Sequence, residues 1–203
     1  MQLLLGTNNP GKLKELRALL ADLPLKLVNP REAGLSLKVK ETGKTYRENA
    51  ILKAAAFAEA AGVWTLADDS GLEVEILDGA PGLYSSRYAA WPDATDADRR
   101  AVLLENLRGH ERPWIAQFRC TIALCGPEGT QHITSGICPG EIVPEERGSG
   151  GFGYDPIFLV GEEELTMAEL GVEKKNTLSH RGRAVQKIIP ILQEIAAKSE
   201  TAP

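Results

Sequence analysis

The chain has 203 residues, 23 Lys and Arg against 28 Asp and Glu, a formal net charge of −5, and 43% hydrophobic residues. That length suits one domain spanning 1–203, with room for two lobes and a sizeable core, and the acidic balance without a basic stripe excludes a nucleic-acid polymer as partner. No stretch approaches the roughly 20 apolar residues of a membrane span, and the apolar start at Met1 is too short for a signal-peptide core, so a cytoplasmic protein with no membrane partner is expected.

The first predicted element is a short strand at residues 3–5. Residues 6–12 form a turn into a helix, with Asn8 or Asn9 as cap and Pro10 at the first helical position. Leu13, Leu16, Leu19, Leu20 and Leu23 keep helical spacing. A second strand at 25–28 leads to a polar connection, 30–44, containing Glu41-Thr42-Gly43. Thr45 and Glu48 have capping-box spacing and open an alanine-rich helix that runs to Gly62. Two strands, 63–67 and 72–77, flank a corner at Asp68-Asp69, where Ser70-Gly71 breaks the apolar run. A loop at 78–89 precedes a helix capped by Asp96 and ending near Leu107. Alternating strands are predicted at 115–125 and 131–138, then a glycine-rich loop, 147–158, entering another strand. The polar segment 166–182 ends in Ser179-His180-Arg181-Gly182, and the last helix carries Val185, Ile188, Ile189, Leu192 and Ile195, with a kink expected at Pro190. Alternation of strands and helices at both ends, with a β-rich middle, predicts a mixed α/β sheet.

Three cysteines, an odd number, argue against a disulfide framework. Strand alternation turns Cys120 and Cys125 to opposite faces, so Cys120, Cys125, His132 and Cys138 read as buried thiols and a histidine rather than a zinc set.

Five places carry chemistry. Thr7, Asn8, Asn9, Pro10, Gly11 and Lys12 form a strand-to-helix turn, where free backbone N–H groups, the helix dipole and an ammonium suit a phosphate; a helix cap beside a solvated lysine is the alternative. Glu41 and Asp69 offer the oxygen donors that Mg²⁺ prefers, and such an ion would relieve the repulsion between adjacent aspartates. One aspartate then serves the site and the other the fold, or both form only a turn. Glu48 is a third candidate carboxylate, and Lys53 is either solvated or a partner for a site carboxylate. The run 148–153 satisfies G-x-G-x-x-G, but Pro156 and the aromatic residues after it predict a strand where a dinucleotide fingerprint needs a helix. Its glycines instead admit a flat ligand, with Phe152 or Tyr154 to stack and Asp155 to accept from ring N–H groups. Finally, His180 and Arg181 can donate to a base carbonyl or a phosphate. A Ser70, His180, Asp69 triad lacks the nucleophile-elbow pattern and is set aside.

Seven blocks occur in order, nearly end to end: 7–12, Glu41-Thr-Gly, Glu48-Asn-Ala, Ala67-Asp-Asp-Ser-Gly71, Gly79-Ala-Pro-Gly82 with Ser86-Arg-Tyr88, Gly150-Gly-Phe-Gly-Tyr-Asp-Pro156 and Ser179-His-Arg-Gly182. Together they resemble the inosine triphosphate pyrophosphatase family, which acts on noncanonical purine nucleoside triphosphates. The resemblance implies Mg²⁺-dependent hydrolysis of ITP, dITP and XTP to the monophosphate and pyrophosphate, removing deaminated purines before polymerases use them. It also implies an elongated mixed central β-sheet flanked by helices, two lobes with an active-site cleft between them, and a homodimer.

Carried over by position, Thr7, Asn8, Asn9, Pro10, Gly11 and Lys12 would bind the triphosphate. Glu41 and Asp69 would hold the metal, Asp69 would also act as base on water, and Ser70 would contact the substrate. Phe152, Gly153, Tyr154 and Asp155 would take the base together with Lys175, His180 and Arg181. Hypoxanthine and xanthine carry a 6-oxo group and an N1–H, the reverse of adenine, so a donor and an acceptor placed for them reject adenine by leaving buried polar groups unmatched.

Overall fold

The computed structural model describes residues 1–201. Its elements in chain order are β1 (Gln2–Leu5), α1 (Pro10–Leu19), β2 (Lys26–Val28), α2 (Tyr46–Ala61), β3 (Thr65–Val74), α3 (Asp96–Leu107), β4 (Trp114–Cys125), β5 (Gln131–Ile142), β6 (Phe158–Val160), β7 (Leu165–Thr166), α4 (Val172–Leu178) and α5 (His180–Thr201). The strands form one seven-stranded mixed sheet in the order β2-β1-β3-β4-β5-β6-β7. β1 runs parallel to β2 and β3, whereas β6 is antiparallel to β5 and β7. No helix among the described residues is long and apolar enough to cross a membrane.

The chain divides into two compact units. Among the described residues, the first comprises 1–69, 120–136 and 181–201. Strand alternation sorts its core into two layers. Leu3 and Leu5 of β1, Leu66 of β3 and Cys120, Ile122 and Leu124 of β4 pack with Leu16 and Leu20 at the end of α1 and with Ala184, Val185, Ile188 and Leu192 of α5. On the other face, Ala67, Ala123 and Cys125 meet Ala50, Ala54 and Ala58 of α2, while Phe57 packs with Leu4 and Val28. The alanine stripe lets α2 lie close to the sheet, because interaxial distance follows side-chain size.

The helix ends obey local chemistry. Asn9 caps α1 by accepting from the Lys12 N–H at 3.1 Å, with Pro10 at the first position. Thr45 accepts from the Glu48 N–H at 3.1 Å, but the reciprocal bond falls one residue earlier, from the Lys44 N–H to Glu48 at 2.7 Å. Gly62 ends α2 in the left-handed conformation at φ 65°, bonding back to Ala58.

The second unit comprises residues 70–119 and 137–180. Its core gathers Leu72 and Val74 of β3, Leu103 and Leu107 of α3, Trp114, Ala116 and Phe118 of β4, Ile142 of β5 and Phe158 and Val160 of β6.

Two sequence expectations change, and the last helix runs through its proline as expected. The two strands with an aspartate corner are one continuous ten-residue strand, β3, and residues 75–77 form a 3₁₀ turn. Extended backbone already sends neighbouring side chains to opposite faces, so the paired carboxylates need no corner. Thr95, not Asp96, caps α3, in a full capping box with Asp98. α5 continues past Pro190; the Gln186 carbonyl, which loses its helical donor there, belongs to an exposed residue that water can reach.

Gly140 faces Val160 across the β5–β6 pair, and a Cβ there would stand 2.1 Å from the Leu159 carbonyl oxygen and 2.8 Å from the Phe158 ring. Gly140→Ala is therefore expected to lower the urea midpoint, with a loss of about 1–3 kcal/mol from overpacking.

Candidate active site

The two aspartates of β3 part company because the strand alternates. Asp68 shares a face with Leu66, towards α1 and α5, and Asp69 shares a face with Ala67, towards α2. Each meets its own cations. Asp68 Oδ2 accepts from Arg181 Nη2 at 2.9 Å and Nε at 3.2 Å, and lies 3.1 Å from Lys12 Nζ. A second carboxylate, Glu15, pairs with Arg181 Nη1. Asp68 and Arg181 are each 1% exposed, so this ion pair belongs to the interior. Burial alone would raise the Asp68 pKa, but Lys12, Arg181 and Lys53 outweigh it and hold the carboxyl well below the usual range.

Asp69 sits in a different field. Lys53 Nζ bridges Glu41 Oε1 at 2.6 Å and Asp69 Oδ1 at 2.9 Å. Asn49, one turn earlier on α2, donates to Asp69 Oδ2 at 3.2 Å and accepts from the Gly43 N–H at 2.8 Å. It thereby ties the Glu41 loop to β3. Gly43 makes this approach possible, since a Cβ there would stand 2.6 Å from Glu48 Cβ and 2.7 Å from Asn49 Oδ1. Here burial wins, and the Asp69 pKa is raised despite Lys53 and Lys12. The centre thus holds less positive charge than its carboxylates can use.

This donor set fits a hard divalent cation: Glu41 and Asp69 already share one cationic group, the Lys53 ammonium. No cluster of three or more His, Cys, Asp or Glu that could hold a metal occurs among the described residues. Two carboxylates suffice for Mg²⁺ when phosphate oxygens and waters complete its octahedron. Glu48 does not join this centre; it is exposed and spends its carboxylate on the Lys44 N–H.

The expected phosphate turn is open to solvent at Asn8, Asn9 and Pro10, with Thr7 and Gly11 half-buried. Thr7 Oγ1 accepts from the Asn9 N–H at 3.2 Å and so fixes the entry to α1. Lys12 stands at the positive end of that helix, anchored on Asp68. Arg181, expected to meet the ligand, is engaged inside the first unit by Asp68 and Glu15.

In the second unit the glycine-rich loop enters a 3₁₀ turn, Asp155–Ile157, and then β6, so the helix that a dinucleotide fingerprint requires is missing. Asp155 is buried, and its Oδ2 accepts from the Phe152 N–H at 2.9 Å and from Lys175 Nζ at 2.6 Å. It therefore shapes the loop, where the sequence suggested an acceptor for a base. Tyr154 is buried as well. Its ring is 4% exposed within the core and its hydroxyl donates to the Ser85 carbonyl at 2.9 Å, which leaves Phe152 as the half-buried aromatic. Lys175 Nζ lies 5.7 Å from the Phe152 ring centroid, and the neighbouring Lys174 turns outward to Glu163. Gly153 takes φ 63°, and His180 stacks on Phe118 with centroids 4.7 Å apart and planes at 14°. Ser70 is half-buried on β3.

Sequence reasoning missed Asn49 and Glu15 and left Lys53 undecided. Asn49 and Lys53 are four apart on α2 and therefore share a face, a signal that was available. Glu15 had no local signal, since its partner lies 166 residues away.

A mixed-sheet α/β protein with a two-carboxylate cation site, and a lysine at a helix N-terminus opening from the next strand, has the equipment of a hydrolase acting on phosphate anhydrides. The Ham1 family profile matches residues 3–191, and the chain belongs to that family. A "dITP/XTP pyrophosphatase" from Desulforamulus reducens is 47% identical over 201 residues, covering 98% of this chain and all of the relative. One from Geobacter sulfurreducens is 48% identical, covering 91% and 92%. Among solved structures, a HAM1 protein from Coxiella burnetii superposes with a TM-score of 0.85 at 42% identity, covering 96% of this chain and 99% of that one.

Asp68→Asn leaves the buried Arg181 undercompensated, and a loss of about 3–5 kcal/mol is expected by urea unfolding at pH 7. Because the folded-state pKa is depressed, the wild-type advantage is fully present above the unfolded value near about 4. It shrinks as acid titrates the unfolded chain and then the folded one, so the gap between the two proteins narrows below about pH 4.

Proposed function

We infer that this protein hydrolyses noncanonical purine nucleoside triphosphates, ITP, dITP and XTP, to the nucleoside monophosphate and pyrophosphate. It thereby keeps deaminated purines out of DNA and RNA. The observation that carries the reading is the parting of Asp68 and Asp69, which places Asp69 beside Glu41 as a carboxylate pair sharing a cation. Near-full-length relatives named for dITP and XTP support the substrate class.

Residues 7–12 receive the triphosphate, with Lys12 and the α1 N-terminus opposing its charge. Glu41 and Asp69 would hold Mg²⁺, which would supply positive charge to offset the phosphate chain. Asp69, steadied by Asn49 and Lys53, takes the proton of the attacking water. Ser70 contacts the substrate beside it. Phe152 stacks on the base, presented by Gly153, Tyr154 and Asp155, and Lys175 and His180 donate to its oxygens. Arg181 acts through Asp68, keeping Lys12 in place. We further propose one catalytic domain over 1–203, a homodimer in solution and a cytoplasmic setting.

Pyrophosphate release should be seen with ITP, dITP and XTP, be far slower with ATP and GTP, and stop when Mg²⁺ is chelated. Asp69→Asn should lose roughly 10²–10⁴-fold in kcat while keeping its far-UV spectrum; full turnover in this variant would remove Asp69 from the mechanism. For His180→Ala the expected result is a smaller ratio of kcat/KM for ITP over GTP, and an unchanged ratio would take His180 out of base recognition.

A further inference from the structure

α3 carries no residue so far assigned to the reaction, yet it holds the glycine-rich loop at a single residue. Asp96 and Arg100 stand one helical turn apart, so their side chains share a face. Asp96 Oδ2 accepts from the Gly153 N–H at 2.8 Å. Arg100 Nη1 donates to the Gly153 carbonyl at 2.8 Å. Both polar groups of this one residue are thus bonded to charged side chains, which makes these among the stronger hydrogen bonds available to a loop.

The clamp is itself braced. Arg99 Nη2 donates to the other Asp96 oxygen at 2.5 Å, and Arg100 sets a fork on Glu146, Nε to Oε1 at 2.8 Å and Nη2 to Oε2 at 2.9 Å. Gly153 has φ 63°, a region where a side chain would be strained, so its backbone is free to meet the helix. On either side of the clamp, Phe152 N–H is fixed by Asp155 and Tyr154 OH by Ser85. The loop is therefore fastened at four successive residues, and the Phe152 ring is what remains half-buried at its tip.

We propose that Asp96 and Arg100 are positioning residues for base recognition: by gripping both sides of Gly153 they hold Phe152 and its neighbours in the conformation that receives the purine. The proposal rests on the assignment of this loop to the base. Ordering the loop in advance spares the substrate that cost on binding. Loss of the clamp should therefore appear in KM and in base selection rather than in the chemical step.

The test compares Asp96→Ala, Asp96→Asn and Arg100→Met with wild type, by steady-state kinetics on ITP and GTP and by hydrogen exchange of the peptide covering residues 150–156. Asp96→Ala and Arg100→Met should raise KM for ITP about tenfold, with kcat within about twofold. Amide protection in 150–156 should fall and the ITP-over-GTP ratio should shrink. Asp96→Asn retains an acceptor for the Gly153 N–H and should recover most of the KM and the protection, which a general loss of stability would not. Unchanged protection in the Ala and Met variants would overturn the clamp. Lost protection with wild-type KM and selectivity would overturn its link to the base while leaving the activity itself intact. A wild-type protein inactive on ITP would fail the assigned function instead, with the exchange data still reporting on the clamp.

Discussion

Everything in the acidic centre depends on the two-residue repeat of an extended strand. Had Asp68 and Asp69 stood on a turn, their carboxylates could have converged in one solvent volume. On β3 they are driven apart, one into the layer with α1 and α5, the other towards α2. Repulsion between neighbours becomes two neutralisation problems with different hydrogen-bonded partners, although Lys12 and Lys53 act on both carboxylates. Asp68 is matched by Arg181 and Lys12, and the pair is sealed. Asp69 is matched incompletely, by one lysine shared with Glu41, and its proton affinity is raised. Adjacent positions thus carry one carboxyl held low by an arginine and lysines against its burial and one raised because burial outweighs its lysines.

The second unit uses clearance where the first uses charge. A Cβ at Gly151 would stand 2.0 Å from Asp155 Oδ2 and 2.7 Å from Lys175 Nζ, and at Gly148 it would meet the Ala168 carbonyl group at 2.6–2.7 Å. These glycines let the loop close over a buried carboxylate–ammonium pair and lie against the chain entering residue 169. The aromatic residues are then divided by what lies beneath them. Tyr154 goes inward, where its hydroxyl finds the Ser85 carbonyl, and Phe152, with no polar atom to satisfy, stays half-buried.

What the sequence revealed was local. The Asn9-Pro10 start, the Thr45 cap and the Gly62 stop each depend on a few neighbouring residues and are read correctly. The opposite faces of Cys120 and Cys125 follow from alternation and are found in separate core layers. Glu41 and Asp69, singled out in the sequence as cation-seeking carboxylates, meet at the Lys53 ammonium. What stayed hidden was long-range or depended on register. The Ser-His-Arg run at a helix start gives no sign that Arg181 pairs with a carboxylate 113 residues earlier. Which of Phe152 and Tyr154 turns inward depends on how glycine turns rotate the loop, and no periodicity records that. The aspartate corner failed because like charges side by side look worse in a sequence than they are on alternating faces.

Cys120 shares the Asp68 layer, its Sγ 3.8 Å from Oδ2, and burial followed by the nearby aspartate drives its thiol far above the ordinary range. Cys125 and Cys138 are buried as well. Only a thiolate reacts at a useful rate. Burial also raises the Cys125 pKa, so at Cys120 and Cys125 the reactive thiolate is suppressed. A reagent that reached Cys120 would have to displace the packing around the Asp68–Arg181 pair, so protection of this thiol reports on the integrity of that layer.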